Sequence, residues 1–290
     1  MDEWRRDIRT GAFDTHYLEV GGGKPVIFLH GSGPGVSALA NWRFQLPVLG
    51  EDRWALAPDL VGFGRTRHPD GPGPMDVTRW VRQVIDFADA LDIERFDVVG
   101  NSMGGAIVLR LAVDHPERLD RVVTMGTIGV PFTITETLDG AWGYTPDLED
   151  MQRIIGWFAW DQGYAADDAL VRLRHETSLE PTSRASYEAM FPAPRQAILD
   201  ACVVADEALA AIPHPLLAVH GGNDRIIPLE TSLHVARVVP NSRLTVFNQC
   251  GHWVQIERKV EFSQLIRHFL STPLDAPVTR VEPTPVGANG

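Results

Sequence analysis

Gly100-Asn101-Ser102-Met103-Gly104 constrains the fold of this chain more than any other stretch, because it stands between a β-type run and a helix-type run. Phe96, Val98 and Val99 before it are apolar and partly β-branched. Ala106 to Val113 after it is a good helix former that stops at His115-Pro116. A G-x-S-x-G segment in that context makes a sharp strand-to-helix turn. Backbone packs on backbone, glycine leaves out Cβ atoms for which there is no room, and the central residue is strained with its hydroxyl exposed. The pattern alone also fits a plain glycine turn carrying a surface serine; the flanking runs make Ser102 a candidate nucleophile.

A serine hydroxyl is a poor nucleophile at neutral pH. It needs an imidazole to take its proton, and the imidazole needs a carboxylate to fix its tautomer and stabilise its cation. Asp224 is the candidate acid: it follows Pro215-Leu216-Leu217-Ala218-Val219-His220-Gly221-Gly222, a buried-strand run ending in glycines, so its carboxylate emerges at a strand's carboxyl end. His252 is the candidate base. It lies in Gly251-His252-Trp253, after the strand-like segment 242–248 and before a helix expected to begin near Glu257. Each has a bland reading, since an Asp after glycines is usually a turn former and most of the ten histidines are expected to be structural. His115 ends a helix, His214 sits between prolines and His220 lies inside a buried strand. The joint order and the placement at strand ends favour chemistry.

His30-Gly31-Ser32-Gly33-Pro34-Gly35 follows the apolar run 26–29. It lacks the Gly-Lys-Ser/Thr of a phosphate loop, and Val36 replaces the last glycine of G-x-G-x-x-G, so nucleotide binding is not expected. The order nucleophile, acid, histidine is that of the α/β-hydrolases. In that fold this loop donates one backbone N–H to the oxyanion and the residue after the nucleophile donates the other, which implies Ser32 and Met103.

Strands and helices alternate at βαβ spacing, predicting an α/β fold with a mostly parallel central sheet covered by helices on both faces. Strands are expected at Trp54–Leu60, Phe96–Gly100, Leu119–Met125, Leu216–His220 and Arg243–Phe247, and a helix at Val77–Leu91 whose apolar stripe is Trp80, Val81, Val84, Ile85, Ala88 and Leu91. β-type runs vanish between 131 and 211. The reading is an α/β core over 1–130 and 212–272, an inserted helical lid over 131–211, and a disordered Pro-rich tail over 273–290. Lid aromatics Trp142, Tyr144, Trp157, Phe158 and Trp160 either line a pocket or pack the lid onto the core.

With 290 residues, 44% of them hydrophobic, the chain can bury a large core. A net charge of −12 argues against nucleic acid or an anionic membrane as partner. The first residues lead into no apolar leader segment and no run is long enough to span a bilayer, so a cytoplasmic location is expected. Cys202 and Cys250 are too few for a disulfide framework or a zinc site. The expected partners are a small-molecule substrate and further copies of the chain, as a dimer or higher homo-oligomer.

Taken together, 30–35 with Asn41-Trp42, 100–105, Gly143-Tyr144-Thr145-Pro146, Met190-Phe191-Pro192-Ala193-Pro194-Arg195 and Gly251-His252-Trp253 resemble the meta-cleavage product hydrolases, most closely those acting on monocyclic ring-fission products. The likeness runs from about residue 10 to 271, lid included. It implies hydrolysis of a carbon–carbon bond in a 2-hydroxy-6-oxohexa-2,4-dienoate, giving 2-hydroxypenta-2,4-dienoate and a carboxylic acid, with no metal or organic cofactor. It assigns Ser102, Asp224 and His252 as the triad, Ser32 and Met103 as oxyanion donors, and Asn41, Asn101, Arg174 and Trp253 around the dienoate. The lid helix reads as one residue longer than the family's after Asp161, which leaves Arg172 as the alternative to Arg174. A carboxylesterase or lactonase would use the same triad without needing that cation; a non-catalytic receptor would need neither triad nor oxyanion loop.

Overall fold

In the computed structural model, which describes residues 1–68, 71 and 73–272, eight strands form one sheet. They are β1 Arg5–Thr10, β2 Phe13–Gly21, β3 Pro25–Leu29, β4 Trp54–Pro58, β5 Phe96–Asn101, β6 Leu119–Met125, β7 Leu216–Gly221 and β8 Ser242–Phe247. The order is β1-β2-β4-β3-β5-β6-β7-β8, with β1 and β2 antiparallel at one side and every pairing from β4 to β8 parallel. Side-chain alternation divides the core into two layers: Ile27 and Leu29 enter one apolar cluster, Val26 and Phe28 the other. Strand β5 is buried at all six positions, as a central parallel strand covered on both faces must be.

The helices are α1 Ala38–Trp42, α2 Gln45–Leu49, α3 Val77–Ala90, α4 Met103–Asp114, α5 Glu136–Trp142, α6 Leu148–Phe158, α7 Asp168–Leu179, α8 Pro181–Met190, α9 Gln196–Asp200, α10 Asp206–Ala210, α11 Leu229–Val238, α12 Val254–Glu257 and α13 Lys259–Ser271. Helix α3 starts where Asp76 accepts a hydrogen bond from the Thr78 amide. It buries Trp80, Val81, Val84, Phe87 and Ala88, while the expected Ile85 and Leu91 are only half-buried. Between β6 and β7, the described chain is helical or irregular from α5 to α10, where β-type runs are missing from the sequence.

Boundaries differ from expectation by more than one residue in three places. Strand β4 ends at Pro58, because Asp59 leaves the ladder to cap the Ala38 and Arg65 amides. Helix α4 begins at Met103, directly at the elbow, and the chain turns helical at Val254, ahead of Glu257. The expected tail at 273–290 lies outside the described residues.

Candidate active site

Four loops converge at the carboxyl ends of β3, β5, β7 and β8, and each carries one part of the site. At the end of β5, Ser102 has φ 55° and ψ −114°, left-handed backbone that a side chain rarely adopts. Its amide donates to the Met125 carbonyl at 2.8 Å and its carbonyl accepts from Gly105 at 2.9 Å. Glycine is required on both sides: a Cβ at Gly100 would strike the Gly104 carbonyl, and one at Gly104 the Leu29 carbonyl. The amide of Met103 is the first of helix α4, a donor that the helix itself leaves unmatched.

Asp224 sits in the loop after β7, close against the loop after β8, since a Cβ at Gly221 would meet the Gly251 carbonyl. Asp224 Oδ2 lies 2.6 Å from His252 Nδ1, and Oδ1 accepts from the amides of Ile226 at 2.8 Å and Ile227 at 2.9 Å. Burial by itself would raise the Asp224 pKa; the His252 and His220 imidazoles and the backbone donors outweigh it and hold the carboxyl below its ordinary value. With the carboxylate on Nδ1, the proton belongs there and the lone pair on Nε2 is free. Nε2 is buried without a partner, and it lines the same small cavity as Ser102.

The loop after β3 is held by His30. Its Nε2 accepts from the Leu60 amide at 3.0 Å, which requires Nδ1 to carry the proton given to the Gly31 carbonyl at 2.7 Å. Ser32 Oγ accepts from Trp142 Nε1 at 2.9 Å, fixing the loop against α5.

Arg174 and Trp253 meet on one wall, with the guanidinium 5.5 Å from the Trp253 ring centre. Among the described residues Arg174 has no carboxylate partner, and its buried Nε has no hydrogen-bond partner at all. Burial, assisted by nearby Arg43, pushes its pKa down to about 10, which still leaves it charged at neutral pH. Asn41 Nδ2 is also buried and unpartnered, while Asn101 Nδ2 donates to the Met125 carbonyl at 3.3 Å. Ser32, Asn41, Asn101, Ser102, Arg174, His252 and Trp253 thus face one cavity. Arg172, two positions along α7 and about 200° around it, is exposed. Of the aromatics expected in a lid, Trp142 and Phe158 line this cavity. Tyr144 lines a neighbouring one, Trp157 packs against the core and Trp160 is 47% exposed.

Two contributors were not legible as site residues. His220, read as structural, places Nε2 3.5 Å behind Asp224 Oδ2 while its Nδ1 contacts Ser232 Oγ at 2.7 Å. Glu257, read only as marking a helix start, accepts from the amides of Trp160 and Asp161 at 2.9 Å each and from Gly251 at 2.7 Å. The Phe158 carbonyl takes the His252 amide at 2.8 Å. The histidine loop is therefore tied to the segment after α6 by bonds in both directions.

Residues 24–259 match the alpha/beta hydrolase fold family. The chain is 46% identical to a 2-hydroxymuconate semialdehyde hydrolase of Pseudomonas sp. strain CF600 over 92% of its own length and 93% of that protein's. It is 44% identical to a 2-hydroxy-6-oxo-2,4-heptadienoate hydrolase of Pseudomonas putida, over 92% and 96%. A crystallised meta-cleavage product hydrolase of Pseudomonas fluorescens IP01 superposes with a TM-score of 0.90 at 41% identity, covering 93% of this chain and 98% of that one. The chain belongs to the meta-cleavage product hydrolases.

Proposed function

We propose that the protein hydrolyses a 2-hydroxy-6-oxohexa-2,4-dienoate to 2-hydroxypenta-2,4-dienoate and a carboxylic acid. The observation that carries this reading is Arg174 with Asn41, a half-buried cation whose Nε is buried and a buried amide, both short of partners, beside the Ser102-His252-Asp224 constellation. An ester needs no such pair, whereas a dienoate presents a carboxylate and a 2-oxygen to it.

The carbon–carbon bond breaks only if the departing carbon can carry an electron pair. Loss of the enol proton and gain of one at C5 turns the dienol into a 2,6-dioxo-3-enoate. Arg174 and Asn41 hold the charge that develops on the 2-oxygen. Ser102 passes its proton to His252 Nε2 as C6 is attacked, and Asp224 stabilises the imidazolium. The tetrahedral oxyanion at C6 meets the Ser32 and Met103 amides, each such donor being worth ~2.7–4 kcal/mol in the transition state. Cleavage of C5–C6 sends the electron pair through C3–C4 to the 2-oxygen, which takes the proton from the His252 imidazolium and leaves the acyl group as an ester on Ser102; water, giving a proton to His252 Nε2, then attacks that ester, releasing the carboxylic acid and restoring the Ser102 hydroxyl. Asn101 and Trp253 flank the dienoate.

Leu138, Ala141, Trp142 and Ile226 form the apolar wall suited to the C6 substituent. A formyl or methyl substituent fits with the least rearrangement, so kcat/KM for the methyl ketone should exceed that for the 6-phenyl analogue by at least about tenfold, a methylene-scale discrimination summed over a ring; equal values would contradict a tight acyl pocket. The segment 131–211 acts as the lid over this site. A cytoplasmic homo-oligomer is part of the same reading, supported by the edge strand β8 with Val246 37% exposed; light scattering that returns a single 32.0 kDa chain would refute it. The direct test of the activity is the loss of the yellow dienoate's absorbance alongside release of p-nitrophenol from an ester. Ester turnover without dienoate turnover would favour the esterase.

A further inference from the structure

Asn41, Arg174 and Trp253 line both the space over Ser102 and a far larger neighbouring cavity of about 760 Å³. Five arginines line that cavity, Arg5, Arg43, Arg65, Arg67 and Arg174, against two carboxylates, Asp59 and Glu180. Asp59 is occupied by the Ala38 and Arg65 amides at 2.7 and 2.8 Å. Among the described residues only Arg5 of the five has an ion-pair partner, the exposed Asp2. Arg43 stacks on Phe44 and donates to the Ala40 carbonyl, and Arg67 donates to the Gly64 and Thr66 carbonyls, so these contacts leave their charge uncompensated. The chain as a whole carries −12. A protein so acidic repels small anions, and the sign of its field reverses only where unpaired cations gather.

We propose that this cavity is a cationic access channel, in which the exposed Arg65 and Arg67 capture an anionic substrate from solvent and Arg43 hands it to Arg174. The proposal rests on the dienoate reading above. It requires the capture step to weaken as salt shortens the reach of the arginines, from about 30 Å at 0.01 M to about 3 Å at 1 M. A neutral ester feels no such field.

The test measures kcat/KM for an anionic dienoate and for p-nitrophenyl acetate across that range of salt, with wild-type protein, the Arg65→Gln/Arg67→Gln pair and the Arg65→Lys/Arg67→Lys pair. In the wild type the dienoate value should fall several-fold with salt while the ester value stays level. At low salt the Gln pair should lower the dienoate-to-ester ratio about fivefold and flatten its salt dependence, as loss of steering charge does, and the Lys pair should restore both. A salt-independent dienoate value, a Gln pair with the wild-type ratio, or a Lys pair as impaired as the Gln pair overturns the channel while leaving the dienoate reading intact. A wild type that turns over the ester alone overturns that reading and the channel with it.

Discussion

At the scale of single residues, the proposed triad divides into groups that do chemistry and groups that shape it. Ser102 contributes a hydroxyl and no packing that its Cβ does not already provide, so Ser102→Ala should lower steady-state turnover by at least ~10³-fold, as loss of a triad member does, with an unchanged melting temperature. Retention of a tenth of the wild-type rate would remove it from the mechanism. Asp224 is held ionised by two imidazoles and two amides. Asp224→Asn keeps the shape and loses the charge, so the imidazole adopts the wrong tautomer and turnover should drop ~10³-fold or more. A lowered melting temperature with an unchanged rate would instead mark Asp224 as a loop anchor.

Among the elements, the strand ends were readable because glycines mark them: Gly100 and Gly104 about the end of β5, Gly221 at the end of β7 and Gly251 after β8 each permit a backbone approach that a Cβ would block. The register within α7 was not. Leu173 is 61% exposed while the cation next to it is desolvated, so the helix breaks the rule that apolar positions face inward, and nothing in the pattern could separate Arg174 from Arg172. Glu257 was equally illegible, because it caps amides 96 and 97 positions away in the chain. That carboxylate couples the segment after α6 to the histidine loop, and its removal should let His252 drift. Glu257→Ala should cut kcat for dienoate and ester together by ~10- to 100-fold, the scale of a misplacement near 1 Å, without changing their ratio. A fall in melting temperature at unaltered kcat would make it a structural strut only.

For the whole molecule, burial sets both stability and selectivity. His30, His214 and His220 are buried, and burial lowers the pKa of each below the ordinary 6.5. As pH falls below 6.5 the unfolded chain takes up protons that the folded one refuses. Stability therefore drops, by up to about 1.4 kcal/mol per pH unit for each group, until the folded values are reached. Melting temperature should decline between pH 7 and 5, and a flat profile there would mean that these imidazoles are more accessible than their burial indicates. In the function proposed above, selectivity follows from the cation: an arginine whose buried Nε lacks a partner, beside a serine nucleophile, suits a substrate with an anionic end. The decisive measurement compares Arg174→Gln with the wild type on a ring-fission dienoate and on p-nitrophenyl acetate. Dienoate cleavage should fall by ~10²-fold or more through loss of a charge-assisted contact in a water-poor site, while ester hydrolysis changes by less than about fivefold; an equal fall in both, or no fall in either, would contradict the account.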